Sequence, residues 1–394
     1  MRFGIAYGAD AVYMAGTRFG MRAAATNFDD NALREGIAYA HAHGVKCYIT
    51  VNIMPSNRDL PALPAYLELL QDAGADALII ADVGVLRMAR RYAPKVPVHI
   101  STQTSILNHE AANYWADEGA ERIVLARELS LEEIAEIRAK TPKELEIEAF
   151  VHGAMCISYS GRCLISQYMT GRDANHGACA QPCRWNYSLM EEKRPGQFFP
   201  VEEDGRGTYL YNSKDMCMIE HVPELIEAGI TSFKIEGRNK TAYYAACVTG
   251  AYRAAIDTYK KDPENFVLPQ FCRDEVNKVS HREYYTGFYF GNQENGQHYG
   301  DSQYIREYEV VGMPVECDDS GKAVFALKNR FFDGEELELI QPGQAPYVFR
   351  AENVTDDEGT KRELFNVPQM RVHFAFPFKV SEWAILRKAK ERPE

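Results

Sequence analysis

Four of the nine cysteines lie in one short segment, CISYSGRCLISQYMTGRDANHGACAQPC, which runs from residue 156 to residue 183. Their order is Cys156-x6-Cys163-x15-Cys179-x3-Cys183, and Cys217 follows another predicted strand end. Structural zinc sites usually show two tight cysteine pairs, and only Cys179 and Cys183 come close to that spacing. Iron–sulfur clusters need four thiolates but accept irregular spacing. Thiolates this dense need a positive charge to neutralise them, so the segment predicts a metal rather than unrelated buried thiols. The spacing favours iron–sulfur over zinc only slightly.

His152 stands four residues before Cys156, which raises the question of a nucleophilic thiol. An imidazole close to a thiol can activate it. The sequence contains neither His-Glu-x-x-His nor Gly-x-Ser-x-Gly, so standard metalloprotease and serine hydrolase sites are not indicated. We interpret His152 as a polar group at the mouth of the site or a substrate contact, and keep the Cys156–His152 pair as the alternative.

Basic residues cluster near predicted strand ends, although the chain carries a net charge of −12. A local positive face suits a carboxylate or phosphate ligand, whereas scattered surface cations usually pair with acids and do no chemistry. In KIEGRNK, the residues Lys234, Glu236 and Arg238 alternate onto one strand-end face. The basic residues concerned are Arg18, Arg22, Arg162, Arg172, Arg184, Lys214, Lys234, Arg238 and Lys240.

A repeated unit in the first 240 residues predicts the scaffold that positions these groups. An amphipathic segment ends in a small residue and a glycine, and an apolar run follows, as in AGADALIIAD and AGITSFKIEGR. The best match is a TIM-like (β/α) barrel, because no Gly-x-Gly-x-x-Gly supports a dinucleotide-binding sheet. The apolar runs stop at polar residues that would meet at the carboxyl-terminal face, where barrel enzymes have their active sites, although some could merely cap helices. These polar residues are Asn52, Asp82, Ser101, Thr102, Gln103, Arg127, Glu128, His152, Ser213, Lys214, Asp215, Lys234 and Glu236.

The pattern changes after about residue 255. We predict a (β/α)-barrel domain over 1–255, a linker with a short helix over 256–303, and a small all-β barrel domain over 304–394, where short strands alternate with turn signals such as DDSGK. No apolar run approaches the length of a membrane span, and no signal peptide is recognisable, so we expect a cytoplasmic protein. The acidic balance argues against a wholly basic nucleic-acid binder but allows a local basic patch.

Several long motifs resemble one family. They are similar to the collagenase-like peptidases, family thirty-two of the unassigned-mechanism (U) class, and the resemblance covers nearly the whole chain. Family members usually open with a strand like Leu-Leu-Ala-Pro-Ala-Gly, whereas this chain starts at MRFGIAYGADAVY, which leaves open whether its barrel lacks the first strand. The motifs are EAFVHGAMCISYSGRCLIS, GRDANHGACAQPCRWNY, NSKDMCMIEHVPELIEAGITSFKIEGR, SHREYYTGFYFG and KNRFFDGEELELIQP.

The resemblance implies more than the family name does. Several members resemble RNA-hydroxylation factors, which make 5-hydroxyuridine at the tRNA wobble position or hydroxylate a ribosomal RNA cytidine and require prephenate. Other members serve in oxygen-independent ubiquinone hydroxylation. Members hold a [4Fe-4S] cluster on four cysteines. The matching ligands here are Cys156, Cys163, Cys179 and Cys217, with Cys183 as a substitute ligand.

From this resemblance we expect an iron–sulfur tRNA-modifying enzyme that hydroxylates the wobble uridine, with prephenate as co-substrate and tRNA as partner. A collagenase-like peptidase with a protein or peptide substrate and a non-enzymatic iron–sulfur scaffold remain the alternatives. We expect no membrane partner, while a homo-oligomer or a hetero-partner stays open. We predict catalytic roles for His152, Glu148, Lys234, Glu236 and Arg238. We predict substrate-binding roles for Arg22, Asn52, Gln103, Arg162, Arg184 and Lys214.

Overall fold

The structure is a computed structural model of the chain. It describes residues 1–21, 27–156, 158–185, 188–190, 198–200, 214–291 and 304–390. Of the helices in this described part, none has the length and apolar character needed to span a membrane. The α-helices are α1 (Arg2–Ala6), α2 (Asp30–Ala42), α3 (Leu63–Asp72), α4 (Val83–Tyr92), α5 (His109–Asp117), α6 (Leu131–Ala139), α7 (Ile165–Thr170), α8 (Val222–Glu227), α9 (Ala242–Lys261) and α10 (Gln270–Asn277).

The strands form one largely parallel sheet, one antiparallel sheet and two short hairpin-like pairs. They are β1 (Ala11–Ala15), β2 (Lys46–Val51), β3 (Ala77–Ile80), β4 (Val98–Ile100), β5 (Arg122–Val124), β6 (Glu146–Ala154), β7 (Ser188–Met190), β8 (Phe198–Pro200), β9 (Asp215–Cys217), β10 (Ser232–Ile235), β11 (Tyr284–Tyr285), β12 (Tyr308–Cys317), β13 (Lys322–Leu327), β14 (Phe331–Phe332), β15 (Glu336–Ile340), β16 (Tyr347–Arg350), β17 (Thr355–Asp356), β18 (Leu364–Phe365), β19 (Arg371–Ala375) and β20 (Ile385–Ala389).

Internal contacts divide the chain into two compact units. The parallel-sheet unit comprises Asp10–Asn239 and Arg282–Gln303. The antiparallel-sheet unit comprises Met1–Ala9, Lys240–His281 and Tyr304–Glu394. Helix α9 runs through residue 255, where the sequence pattern places the end of the barrel domain. The domain boundaries drawn from the sequence stay predictions.

The parallel-sheet unit confirms the α/β class. Strands β1 to β6 are each parallel to the next, and β10 also pairs in parallel with β6. Strand β3 is buried at every position, as expected for a parallel strand covered by helices. Gly44, Gly74, Gly119 and Gly229 follow helices with φ between +70° and +83°, so the predicted helix–glycine–strand units are present.

One strand departs from the predicted pattern and positions a cysteine. Residues 207–213 lie outside the described residues. The following residues form β9, which pairs antiparallel with β6, while β11 pairs in parallel with β9. This pairing sets Cys217 directly opposite His152.

The antiparallel-sheet unit confirms the predicted β-rich C-terminal region. Its main sheet has the strand order β16-β15-β20-β12-β13-β19-β17. The core is aromatic: the rings of Phe331 and Phe365 stack with centroids 4.8 Å apart, and Phe325 meets Phe374 edge-on at 5.5 Å. Helix α1 packs against α9 in the same unit.

Candidate functional site

A directed chain of hydrogen bonds joins the carboxyl ends of β2 and β4. The backbone N–H of Met21 donates to Asn52 Oδ1 over 3.1 Å, and Asn52 Nδ2 donates to Ser101 Oγ over 3.3 Å. Ser101 Oγ donates to Gln103 Oε1 over 3.1 Å. Because a backbone N–H can only donate, it fixes Asn52 Oδ1 as the acceptor and Asn52 Nδ2 as the donor to Ser101, whose hydroxyl hydrogen is then available for Gln103 Oε1. We call Met21, Asn52, Ser101 and Gln103 the amide relay.

The amide relay ends on a donor that has no acceptor. Gln103 is 3% exposed, and its Nε2 has no hydrogen-bond partner among the described residues. Thr50 Oγ1, on the strand that leads to Asn52, and Ser105 Oγ are likewise buried without partners there. A buried polar group left unpaired costs about 1–3 kcal/mol, so such groups call for a ligand or another explanation. The end of the relay therefore offers a neutral N–H donor to a bound oxygen.

A buried ion cluster lies further along the same sheet. Glu148 on β6 is 4% exposed and accepts from Lys234 Nζ on β10 at 2.5 Å and from Arg122 Nη1 on β5 at 3.0 Å. Ser232 Oγ also donates to it, at 2.8 Å. Burial opposes ionisation, but the cations of Lys234 and Arg122 outweigh it and lower the pKa of the Glu148 carboxyl to about 2. Glu148 is therefore a carboxylate at neutral pH and is saturated with donors.

The first strand meets this cluster through one tyrosine. Lys234 Nζ lies 4.3 Å from the ring centroid of Tyr13 on β1, a cation–π distance. The Tyr13 hydroxyl donates to Glu236 Oε2 over 3.1 Å, just beyond β10. Side chains from β1 and β10 are thus in contact.

His152 is almost completely buried at the end of β6, with 1% of its surface exposed. Its Nε2 lies 3.3 Å from the hydroxyl of Tyr284 on β11. The two rings are 5.2 Å apart and tilted by 59°. His152 is therefore held by a residue of a neighbouring strand.

The cysteine segment lies over the end of the amide relay. Gly161 adopts φ +76°, and a side-chain carbon at that position would come within 3.3 Å of Gln103 Cβ. Met54, just after β2, donates its N–H to the carbonyl of Asn175 over 3.1 Å. Arg127 binds the carbonyl of Ala154 at 2.9 Å and so ties β5 to the start of the segment. The close approach at Gly161 places this segment beside the base of the Gln103 side chain.

The cysteines have donor chemistry that suits iron, but the described residues do not assemble a complete site. Cys156 is exposed, and Cys163, Cys179, Cys183 and Cys217 are partly exposed. The N–H of Gln181 lies 3.4 Å from Cys179 Sγ and donates to it, a contact that stabilises a thiolate ligand. Within the described part of the chain, no group of three or more His, Cys, Asp or Glu side chains is arranged around one ion.

The other predicted site residues are more dispersed. Arg22 and the side chain of Arg184 lie outside the described residues. Arg162 is exposed on the cysteine segment, while Lys214 is paired with Glu283 at 2.8 Å. Arg238 donates to Asn27 Oδ1 over 3.1 Å. The structure brings Asn52 and Gln103 together, and separately Glu148 and Lys234.

Two contributors to these groups escaped the sequence reasoning. Arg122 is the first residue of β5, and a rule that looks only at strand ends passes over it. Tyr13 lies in the middle of β1 and looks like an ordinary apolar strand residue. A charged residue at the start of an otherwise apolar strand is the available signal for Arg122, and the sequence offers none for Tyr13.

Comparison with known proteins gives family matches along nearly the whole chain. The model described as peptidase family U32 matches residues 1–299, and the model of the peptidase family U32 C-terminal domain matches residues 306–387. The tRNA hydroxylation protein P1 of Bacillus subtilis is 38% identical over 392 residues, which cover 99% of this chain and 92% of that protein. The tRNA hydroxylation protein P of Escherichia coli is 36% identical, over 91% of this chain and 87% of its own length. The 23S rRNA 5-hydroxycytidine C2501 synthase of Escherichia coli is 39% identical, over 80% of this chain and 46% of its own length.

Proposed function

The chain belongs to peptidase family U32, and from this membership we propose that it is an RNA-modifying enzyme that hydroxylates the wobble uridine of tRNA to 5-hydroxyuridine. The names of three relatives, two tRNA hydroxylation proteins and one rRNA 5-hydroxycytidine synthase, support an activity on RNA. In this proposal prephenate is the co-substrate, and the substrate base enters at the carboxyl end of the parallel sheet.

The unpaired amide of Gln103 is the observation that carries the choice of substrate. The amide relay contains no charged group, so it suits a neutral carbonyl oxygen better than a carboxylate, for which proteins prefer Arg or Lys. Uracil presents such an acceptor at O4, where cytosine presents an amino donor. A base in an unpaired loop can be turned into a pocket of this kind. We therefore propose that Gln103 Nε2 donates a hydrogen bond to O4 of the uracil ring.

The cysteine segment completes the proposal. Cys156, Cys163, Cys179 and Cys217 would hold a [4Fe-4S] cluster, and Cys183 would be the substitute ligand. When bound, the cluster would supply one-electron redox chemistry beside the base. The protein's own contribution is to hold the base by Gln103 and to exclude water with the segment around Gly161. Arg162, Lys214, Arg22 and Arg184 remain our candidates for the carboxylates of prephenate.

The barrel expected from the sequence also belongs to this proposal. A closed (β/α) barrel would bring β1 beside β10, and the Tyr13–Glu236 hydrogen bond of 3.1 Å is the contact that supports closure. In such a barrel Asn52, Gln103, His152 and Glu236 would all face the same mouth. We also propose that the C-terminal antiparallel sheet closes into a small barrel, as predicted from the sequence.

The test is mass spectrometry of tRNA nucleosides from a strain that lacks the gene. We expect 5-hydroxyuridine and its derivatives to disappear and to return when the intact gene is supplied. Unchanged nucleosides in the deletion strain would refute the proposal. If the purified protein then cleaved gelatin, and a Cys156→Ala variant did not, the peptidase interpretation would replace it.

A further inference from the structure

A cavity of about 550 Å³ opens on the surface of the antiparallel-sheet unit, and none of its lining residues has a role in the site described above. Its size matches the pockets that hold one small ligand or one nucleotide. Four of its lining residues are basic and one is acidic, which gives a local excess of three positive charges in a chain of net charge −12. The cavity is lined by Glu309, Leu327, Lys328, Asn329, Arg330, Phe332, Asn366, Val367, Pro368, Lys388 and Lys390.

Three of these cations have no acidic partner. Within the described residues, the side chains of Lys328, Arg330 and Lys390 make no ion pair or hydrogen bond, and all three residues are exposed. Lys388 differs, because it is buried and pairs with Glu335 at 2.8 Å. Elsewhere in this unit basic side chains do find acids, as Arg371 does with Glu316. The cavity therefore keeps positive charge available for an anionic ligand.

An exposed aromatic ring stands beside these cations. Phe331 and Phe332 are neighbours on β14, and strand alternation sends them to opposite faces. Phe331 is fully buried and stacks on Phe365, whereas Phe332 is 42% exposed. Val367, 51% exposed, adds apolar surface to the same cavity. An aromatic face beside free cations is the combination with which proteins bind single-stranded nucleic acid.

We propose that this cavity binds one nucleotide unit of the RNA substrate other than the modified nucleotide. The phosphate contacts Lys328, Arg330 and Lys390, and the base stacks on Phe332. This inference rests on the proposed function, since it takes RNA as the substrate. The charge of the cavity is opposite to that of the chain as a whole, which matches a polyanion rather than a second copy of this acidic protein.

The experiment measures the affinity of the full-length protein for an unmodified tRNA transcript at several salt concentrations. In a Lys328→Gln/Arg330→Gln variant we expect the affinity for tRNA to fall roughly tenfold. The slope of log K against log salt should fall in magnitude by about two, because each lost phosphate contact removes close to one unit of that slope. Phe332→Ala should weaken binding severalfold without changing the slope, because stacking releases no counterions. Lys322→Gln, an exposed lysine on β13 outside the cavity, is the matched control and should change neither quantity.

Hydroxylation is measured on the same proteins to separate the two ideas. We expect the double variant to raise KM for tRNA and to leave kcat near that of the unaltered protein. If the double variant binds tRNA with unchanged affinity and an unchanged salt dependence, the inference is wrong. The cations of the cavity would then be assigned to an acidic protein partner. If the unaltered protein binds tRNA and the double variant does not, yet neither forms 5-hydroxyuridine, the cavity assignment stands while the proposed function fails.

Discussion

Lys234 Nζ lies 2.5 Å from Glu148 Oε1, and Arg122 Nη1 lies 3.0 Å from the other oxygen of the same carboxylate. One buried anion thus stands between two cations that come from strands on either side of β6. Catalytic roles for Glu148 and Lys234 are predicted from the sequence and stay predictions. A carboxyl whose pKa lies at about 2 is a poor proton donor at neutral pH, so the geometry favours orientation and electrostatics over proton transfer.

The first prediction concerns stability. Glu148→Gln removes the anion, leaves Lys234 without its carboxylate partner and leaves Arg122 with the half-exposed Glu146, so we expect the free energy of unfolding to fall by about 3–5 kcal/mol. Denaturant unfolding measures it. The matched control is Glu146→Gln, because Glu146 also binds Arg122 but has a side chain that is 47% exposed. We expect that exposed pair to contribute less than about 1 kcal/mol. Equal losses in the two variants would contradict our account of the cluster.

The same residue predicts a pH dependence. The folded state holds the pKa of Glu148 near 2, whereas the ordinary value is 4.5, so below about pH 4.5 the unfolded chain binds the proton first. Stability from this group is therefore complete above pH 4.5 and is lost as the pH falls towards 2. Glu148→Gln should unfold with a shallower dependence on pH in that window. An unchanged acid profile would show that other carboxyls dominate it.

Local patterns predicted the elements better than they predicted the contacts between them. The glycines at 44, 74, 119 and 229 mark helix ends because φ near +70° to +83° is open to glycine, and that preference is local. The partner of Glu148 is Arg122 at the start of another strand, which only the register of β5 against β6 reveals. Likewise, the residues Asp215–Cys217 do not predict that β9 pairs antiparallel with β6, because the direction of pairing is set by the tertiary structure. The sequence predicts Asn52 and Gln103 as site residues because they follow apolar runs. Only the three-dimensional structure shows the direction of their hydrogen bonds.

The third prediction tests the amide relay. Gln103→Glu replaces the terminal N–H donor by an acceptor, so we expect kcat/KM for uridine to fall roughly ten- to a hundredfold, since an unpaired buried group costs about 1–3 kcal/mol. Cytidine at the same position should become a better substrate, because its amino group can donate to the new carboxylate. Hydroxylation of transcripts with uridine or cytidine at the wobble position measures both. Ser101→Ala should weaken the discrimination, because Gln103 then loses the bond that orients it.

Gln71→Glu is the control for the relay. It makes the same exchange at a site where the side-chain oxygen only accepts, from the N–H of Lys95 over 3.0 Å. We expect both stability and base preference to stay unchanged in this variant. A Gln103→Glu protein that folds and keeps the uridine preference of the unaltered chain would remove Gln103 from base recognition.

The fourth prediction concerns the metal. Purified without oxygen, the unaltered protein should contain iron and sulfide and absorb visible light. Serine at position 156, 163, 179 or 217 should abolish that absorption, because each replacement removes one of four thiolates. Cys183→Ser should keep it, and Cys317→Ser, an exposed cysteine in the other unit, is the control. If Cys183→Ser lost its iron and Cys179→Ser kept it, Cys183 and not Cys179 would be the cluster ligand.

The last prediction concerns the antiparallel-sheet unit. Arg387 on β20 is completely buried and binds Glu275 Oε2 at 2.7 Å and Glu338 Oε2 at 2.6 Å. Burial opposes its charge, but the paired carboxylates hold its pKa above the ordinary range. Arg387→Met therefore removes the cation that two buried anions share, and leaves Lys278 at 2.9 Å from Glu338 and at 3.9 Å from Glu275. We expect a loss of about 3–5 kcal/mol in unfolding free energy.

A further variant separates the charge from the packing. If Glu275→Gln and Glu338→Gln are added to Arg387→Met, the anions disappear and much of the lost stability should return, because an apolar or neutral replacement of a whole buried ion cluster is often tolerated. Arg371→Met removes an arginine of 39% side-chain exposure from the same unit and should cost less than about 1 kcal/mol. A triple variant that is less stable than Arg387→Met alone would contradict this account. It would show that Glu275 and Glu338 stabilise the packing of α10, β15 and β20 through contacts other than those with Arg387.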